Sequence, residues 1–134
     1  MKFEDLKIGM KESVSKTITE TDVILYSGIT MDINPAHINK EHAKQTIFKK
    51  RIAHGMLTAG LVSAVLGTKL PGEGSIYMGQ ELSFTAPVYF GDTVTATVEI
   101  IELVPEKKRV YLSTTCTNQD GTVVLTGKAK IMKR

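Results

Sequence analysis

One cysteine, Cys116, among 134 residues excludes an internal disulfide and fits a reducing, cytoplasmic setting. Tryptophan is absent and aromatic residues make up only 6% of the chain, so there is no ladder of rings on which unpaired bases stack. The net charge of +3 is spread along the chain, apart from Lys49-Lys50-Arg51 and the terminal Lys133-Arg134. That distribution does not point to nucleic acid, and an anionic small ligand fits it better. No apolar stretch approaches the ~20 residues that span a bilayer. The most apolar segment, 55–66, is interrupted by Thr58 and Ser63. Met1-Lys2-Phe3-Glu4-Asp5 brings charge at once with no apolar run behind it, so neither a secretory leader nor a membrane partner is expected. The three histidines, His37, His42 and His54, lack the spacing of a zinc motif, and Cys116 is remote from them, so no metal site is expected. Glycine-rich phosphate loops and a nucleophile elbow are also missing.

What is present describes an ordinary folded chain. Hydrophobic residues are 42% and charged residues 23%, and the length suits one domain, 1–134. The first half reads as helical. A strand is expected at 12–19, then a helix with Thr21 as N-cap and Asp22 in its first turn, where an acid suits the helix dipole. Val23, Ile24, Tyr26 and Ile29 follow at roughly helical spacing. This helix must stop before Asn34-Pro35, because the residue before proline avoids helical angles. Residues 32–37 are therefore expected as a loop or turn, with a short helical turn at 40–45. A second helix, about 55–69, is apolar nearly all round, the mark of a buried helix, and ends in Leu70-Pro71-Gly72. Beyond it, segments 75–86, 93–104, 109–118 and 122–132 are rich in Val, Ile, Thr and Tyr and separated by turn residues. They read as successive antiparallel strands. A long buried helix followed by such strands suggests a sheet curled round that helix, an α+β layout.

Three features carry chemistry. In Asp32-Ile33-Asn34-Pro35-Ala36-His37 a carboxylate and an imidazole lie five positions apart on a loop stiffened by Pro35. Such a pair can share proton transfers on one water. The same residues also suit a plain turn, in which Asp32 and Asn34 satisfy backbone groups and His37 lies on the surface. At His54-Gly55 the first turn of the apolar helix offers unpartnered N–H groups and the positive end of the dipole, and Gly55 permits close approach of a substrate oxygen. That makes an oxyanion hole. The other reading is a glycine needed only for packing. Ser63, inside the apolar helix, needs a partner for a buried hydroxyl. The carbonyl four residues back and the Asp32 carboxylate both qualify. Cys116, between threonines of an expected strand, reads as core.

Tyr26-Ser27-Gly28-Ile29-Thr30-Met31-Asp32-Ile33-Asn34-Pro35-Ala36-His37, followed by Arg51-Ile52-Ala53-His54-Gly55-Met56-Leu57, resembles the R-specific enoyl-CoA hydratases of the MaoC-like dehydratase group. Phe84-Thr85-Ala86-Pro87-Val88-Tyr89-Phe90-Gly91-Asp92 matches the strand and turn after the long helix in that group. The resemblance covers nearly the whole chain. It implies a hot-dog fold, with an antiparallel sheet wrapped around the 55–69 helix, and a homodimer or higher homo-oligomer made by pairing two such sheets. It implies that Asp32 and His37 activate the water added at C3 and that the Gly55 N–H receives the thioester carbonyl. Ser63 would support the carboxylate, and coenzyme A or an acyl carrier arm would be part of the substrate, with no separate cofactor.

Two departures stand out. Met31 replaces the glycine usual before the catalytic Asp, which strains the backbone if φ is positive there, or narrows the acyl pocket. Lys49-Lys50 replaces a glycine pair; with Arg51 these cations are expected to meet the phosphates of coenzyme A. The expected activity is reversible hydration of a trans-2-enoyl-CoA, short-chain if Met31 narrows the pocket. A hot-dog thioesterase and a non-catalytic acyl-thioester binding module are the alternatives.

Overall fold

The computed structural model describes all 134 residues. Strand β1 (Lys11–Thr17) leads into helix α1 (Glu20–Thr30). The cap of α1 is Thr19, not Thr21. Its Oγ1 accepts the Asp22 N–H at 3.1 Å, and the Asp22 carboxylate accepts the Thr19 N–H at 2.9 Å. A reciprocal box needs an acceptor side chain three residues after the cap, and from Thr21 that position is Ile24. The Thr19 N–H, with Lys16 beside it, holds the Asp22 carboxyl below the usual range. Only Val23 and Ser27 of α1 are buried, while Ile24, Leu25 and Ile29 are exposed.

Helix α1 ends at Met31, which adopts the left-handed conformation with φ 69° and ψ 9°. The backbone at this position has the form that glycine takes without cost. Met31 is 85% exposed, so it does not narrow an acyl pocket. The expected loop at 32–37 is partly helical: α2 (Pro35–Ile38) is a single turn that places His37 inside it. Proline suits the first helical position, and the Asn34 side chain caps it by accepting the Ala36 N–H at 3.0 Å. Helix α3 (Lys40–Lys44) follows, capped by Asn39.

Helix α4 (Gly55–Thr68) lies against a five-stranded antiparallel sheet of order β1-β3-β4-β5-β2 and touches every strand of it. The strands are β2 (Ser75–Phe84), β3 (Thr93–Val104), β4 (Arg109–Thr117) and β5 (Val123–Lys133). Alternation fixes the inward face: Val94, Ala96, Val98 and Ile100 of β3, with Val110, Leu112 and Cys116 of β4, meet Val62, Val65 and Leu66 of α4. This is the hot-dog layout. Strands β3, β4 and β5 form a meander, but β2 does not pair with β3 as succession along the chain suggests. It pairs with β5 at the far edge, so the segment between β2 and β3 crosses the sheet.

Helix α4 is not buried all round. Thr58, Ala59, Val62, Val65 and Leu66 face the sheet, while Met56, Gly60, Ser63, Ala64 and Gly67 are exposed. That exposed face continues onto β2, where Ile76, Tyr77, Met78 and Phe84 are exposed. No helix is long and apolar enough to cross a membrane.

Candidate active site

A cavity of about 420 Å³ opens at the N-terminus of α4 and is lined by Asp32, His37, Phe48, His54, Gly55 and Phe84 among others. The fold brings the carboxylate of Asp32 and the rings of His37 and His54 together, with one polar atom of each within 4.8 Å of the others. Asp32 is on the exposed loop after Met31, and its Oδ1 accepts the Asn34 N–H at 3.3 Å. His37 is 9% exposed, and its Nδ1 lies 2.7 Å from the carbonyl oxygen of Ile52. A carbonyl only accepts, so Nδ1 carries the ring proton. Nε2 is left as a bare acceptor, the form a general base needs.

Gly55 is the first residue of α4, and no side chain caps this end of the helix. The N–H groups of Gly55 and Met56 have no acceptor within the helix, and none is bonded to them elsewhere. The positive end of the dipole therefore faces the cavity. Packing also favours glycine here. A Cβ at residue 55 would lie 2.6 Å from Cε1 of Phe84.

Arg51, expected among the cations for phosphate, is otherwise engaged. Its Nε donates to the carbonyl of His37 at 2.7 Å, its guanidinium pairs with Glu20, and it lies 4.9 Å from the centre of the Phe90 ring. It braces α2 from outside. Lys49 and Lys50 are exposed. Lys50 Nζ rests 4.4 Å above the Tyr89 ring, and Lys49 has a positive φ of 66°. Asn34 serves the turn rather than the cavity.

Ser63 is the clearest displacement. It is exposed, not buried, and lines a different depression with Met56, Gly60, Tyr77 and Gln80. Eight residues of helix carry it about 12 Å along the axis from Gly55. No hydrogen bond joins it to Asp32, whose carboxylate is held instead by the backbone of Asn34.

The residue that sequence reasoning passed over is His54, which had no role there beyond its place beside Gly55. It is 2% exposed. Its Nε2 lies 3.0 Å from the Asp32 carbonyl oxygen and 3.1 Å from Ser27 Oγ, and its ring centre is 3.9 Å from that of His37. Burial, and then the neighbouring His37, pull its pKa below the usual imidazole value, against the Asp32 carbonyl. Its position beside Gly55 was the available signal.

Asp32, His37 and His54 offer one carboxylate and two imidazoles at metal-binding separations. The ring directions oppose a shared ion. The two imidazole planes are inclined by only 32° and stacked, so their in-plane lone pairs do not converge. His37 Nδ1 and His54 Nε2 are both already engaged. Cys116 is fully buried in the core, and burial pushes its thiol up to about 11, which rules it out as a nucleophile.

The MaoC-like domain model matches residues 4–121. An (R)-specific enoyl-CoA hydratase of Rhodospirillum rubrum is 58% identical, over 97% of this chain and 90% of that protein. A 3-hydroxybutyryl-CoA dehydratase of Methylorubrum extorquens is 50% identical, over 96% of this chain and 82% of the relative. Among solved structures, the (R)-hydratase of Aeromonas caviae involved in PHA biosynthesis superposes with a TM-score of 0.94 at 40% identity, covering 98% of this chain and 99% of the other.

Proposed function

The chain belongs to the MaoC-like domain family, and from that premise we propose that it is a hydro-lyase that reversibly adds water to a trans-2-enoyl-CoA, giving the (R)-3-hydroxyacyl-CoA. One observation carries this reading. An acceptor pair, Asp32 and the bare Nε2 of His37, shares a cavity with the uncapped N-terminus of α4 at Gly55.

The chemistry follows from that juxtaposition. The thioester oxygen accepts the Gly55 N–H, and developing enolate charge is stabilised there; one such donor is worth about 3 kcal/mol in the transition state. A water held between the Asp32 carboxylate and His37 Nε2 gives up a proton to the pair. Its oxygen bonds to C3, and the proton returns to C2. The C2–C3 double bond is consumed, and no electrons leave the substrate, so the reaction as written calls for no redox group or metal. Asp32→Asn and His37→Gln should each lower kcat at least ~100-fold, the range for removing general acid–base help. The assay is loss of enoyl absorbance from crotonyl-CoA. Unaltered turnover in both variants would remove the pair from the mechanism, and release of free thiol in place of hydration would indicate a thioesterase.

A short acyl chain is supported by the relative named for the four-carbon substrate, not by Met31. Coenzyme A is the proposed carrier, with Lys49 and Lys50 as the exposed cations beside the cavity wall at Phe48 that meet its phosphates. Charge reversal at both should raise KM in a salt-dependent manner, and an unchanged KM refutes their role. A homodimer is supported by the open edge of β2 and by the exposed α4 residues beside it. Two β2 edges pairing would extend the sheet and cover Gly60, Ser63 and Ala64.

A further inference from the structure

His54 belongs neither to the acceptor pair nor to the donors at the helix tip, yet its contacts reach both. Its Nε2 faces the carbonyl oxygen of Asp32 at 3.0 Å, and because a carbonyl only accepts, Nε2 carries the proton. The Oγ of Ser27, on α1, lies 3.1 Å from the same nitrogen. Nδ1 is then a bare acceptor, and it is buried without a partner. The ring also packs against Tyr26, with centres 4.7 Å apart, and against His37 at 3.9 Å. One side chain thus touches α1, the Asp32 loop and α2. Its own peptide link supplies the Gly55 N–H at the start of α4.

The Asp32 loop needs such a hold. Met31 before it occupies a left-handed conformation that disfavours side chains. Asp32 is gripped at both backbone groups by side chains: its N–H donates to Thr30 Oγ1 at 3.2 Å, and its carbonyl accepts from His54. We propose that His54 is a positioning residue that ties the Asp32–His37 pair to the N-terminus of α4, setting the distance between the proton-transfer groups and the oxyanion amide. The proposal rests on the hydratase reading above.

The ring must stay neutral to do this. A charged His54 would oppose uptake of a proton by the stacked His37 during turnover. The titratable groups facing it are Asp32, His37 and Tyr26; burial, with His37 acting in the same direction, outweighs Asp32 and favours the neutral form.

Two variants divide the functions of the ring. In His54→Gln the amide nitrogen stands the same number of bonds from the backbone as Nε2 and retains the donor. His54→Phe retains the stacked ring and loses the donor. With crotonyl-CoA, His54→Phe should lose at least ~30-fold in kcat while KM stays within ~3-fold, since misplacement of reacting groups by about 1 Å costs on the order of 100-fold. His54→Gln should regain at least ~10-fold of that loss. Equal losses in both variants, or full kcat in His54→Phe, overturn the proposal. Should either variant fail to fold, nitrogen NMR of the wild-type imidazoles decides. A ring protonated at Nε2 whose midpoint lies below that of a free imidazole supports it, and an Nδ1–H tautomer, or a midpoint at or above that of a free imidazole, overturns it. A wild-type protein that hydrates no enoyl-CoA refutes the hydratase reading itself, which the activity of the unmodified chain shows before any variant is compared.

Discussion

Replacing Gly55 with alanine separates packing from catalysis at one residue. The added methyl would lie 2.6 Å from Phe84 Cε1 and 2.7 Å from Cδ1. Carbon atoms rest about 3.5–4.0 Å apart, so the ring must retreat by about 1 Å. Overpacking costs about 1–3 kcal/mol. Phe84 is 53% exposed and free to move outward, which places the cost near the lower end. The helix preference of alanine returns up to about 1 kcal/mol. The net loss is then no more than about 1 kcal/mol, a fall in Tm of about 3 °C for a domain of this size. Activity should respond on another scale. On the proposed mechanism the methyl crowds the amide that receives the thioester oxygen, and loss of one oxyanion donor lowers kcat by about 100-fold or more. The double variant Gly55→Ala with Phe84→Leu, compared with Phe84→Leu alone, completes the cycle. The smaller side chain makes room for the methyl and leaves the helix preference of alanine, so the Tm loss should disappear or become a small gain while kcat stays low. Thermal melts and the crotonyl-CoA assay give both readouts. If the double variant matched Phe84→Leu in kcat, Gly55 would serve only Phe84, and the oxyanion role would be lost.

Two further outcomes follow from the backbone and from the buried imidazole. Met31→Gly relieves a left-handed side chain worth about 1–2 kcal/mol and gives back about 0.5–1 kcal/mol in unfolded-state entropy. As Met31 is 85% exposed and packs against nothing that would be missed, Tm should rise slightly, with unchanged preference among acyl lengths; a lower Tm or a shift toward longer chains contradicts this. For His54, the folded pKa lies below the unfolded value, so the unfolded chain binds the extra proton. Its contribution to stability is therefore full above about pH 6.5 and is lost as the pH falls through the folded value. The drop in Tm from neutral to mildly acid pH should be shallower in His54→Gln than in the wild type, and parallel curves would refute it.

The legible parts of the fold were those written in local pattern. Richness in β-formers between turn residues declared β3 and β4, and Leu70-Pro71-Gly72 marked the end of α4 within a residue or two. The pairing of β2 with β5 was not legible, because strand partnership is decided across the whole sheet and not by succession. Ser63 misled for a related reason. An apolar helix announces that its surfaces are covered but not by what, and one face of α4 has no cover within this chain. At the site, the acid and imidazole five residues apart and the glycine at a helix start were readable as chemistry. The place of His54 was not, since 22 residues separate it from the carbonyl it meets. Arg51 shows the reverse error: a cation in a basic run that the fold employs as a brace.

The single-sided bonding of β2 has a practical consequence. A strand with one row of unclaimed amides and carbonyls, flanked by Ile76, Tyr77 and Met78, will accept any extended segment offered to it. Damage at this rim should therefore first show as clumping of otherwise well-folded molecules. A lysine introduced at Tyr77 would guard the rim against such contacts, at the expense of any legitimate neighbour that uses it.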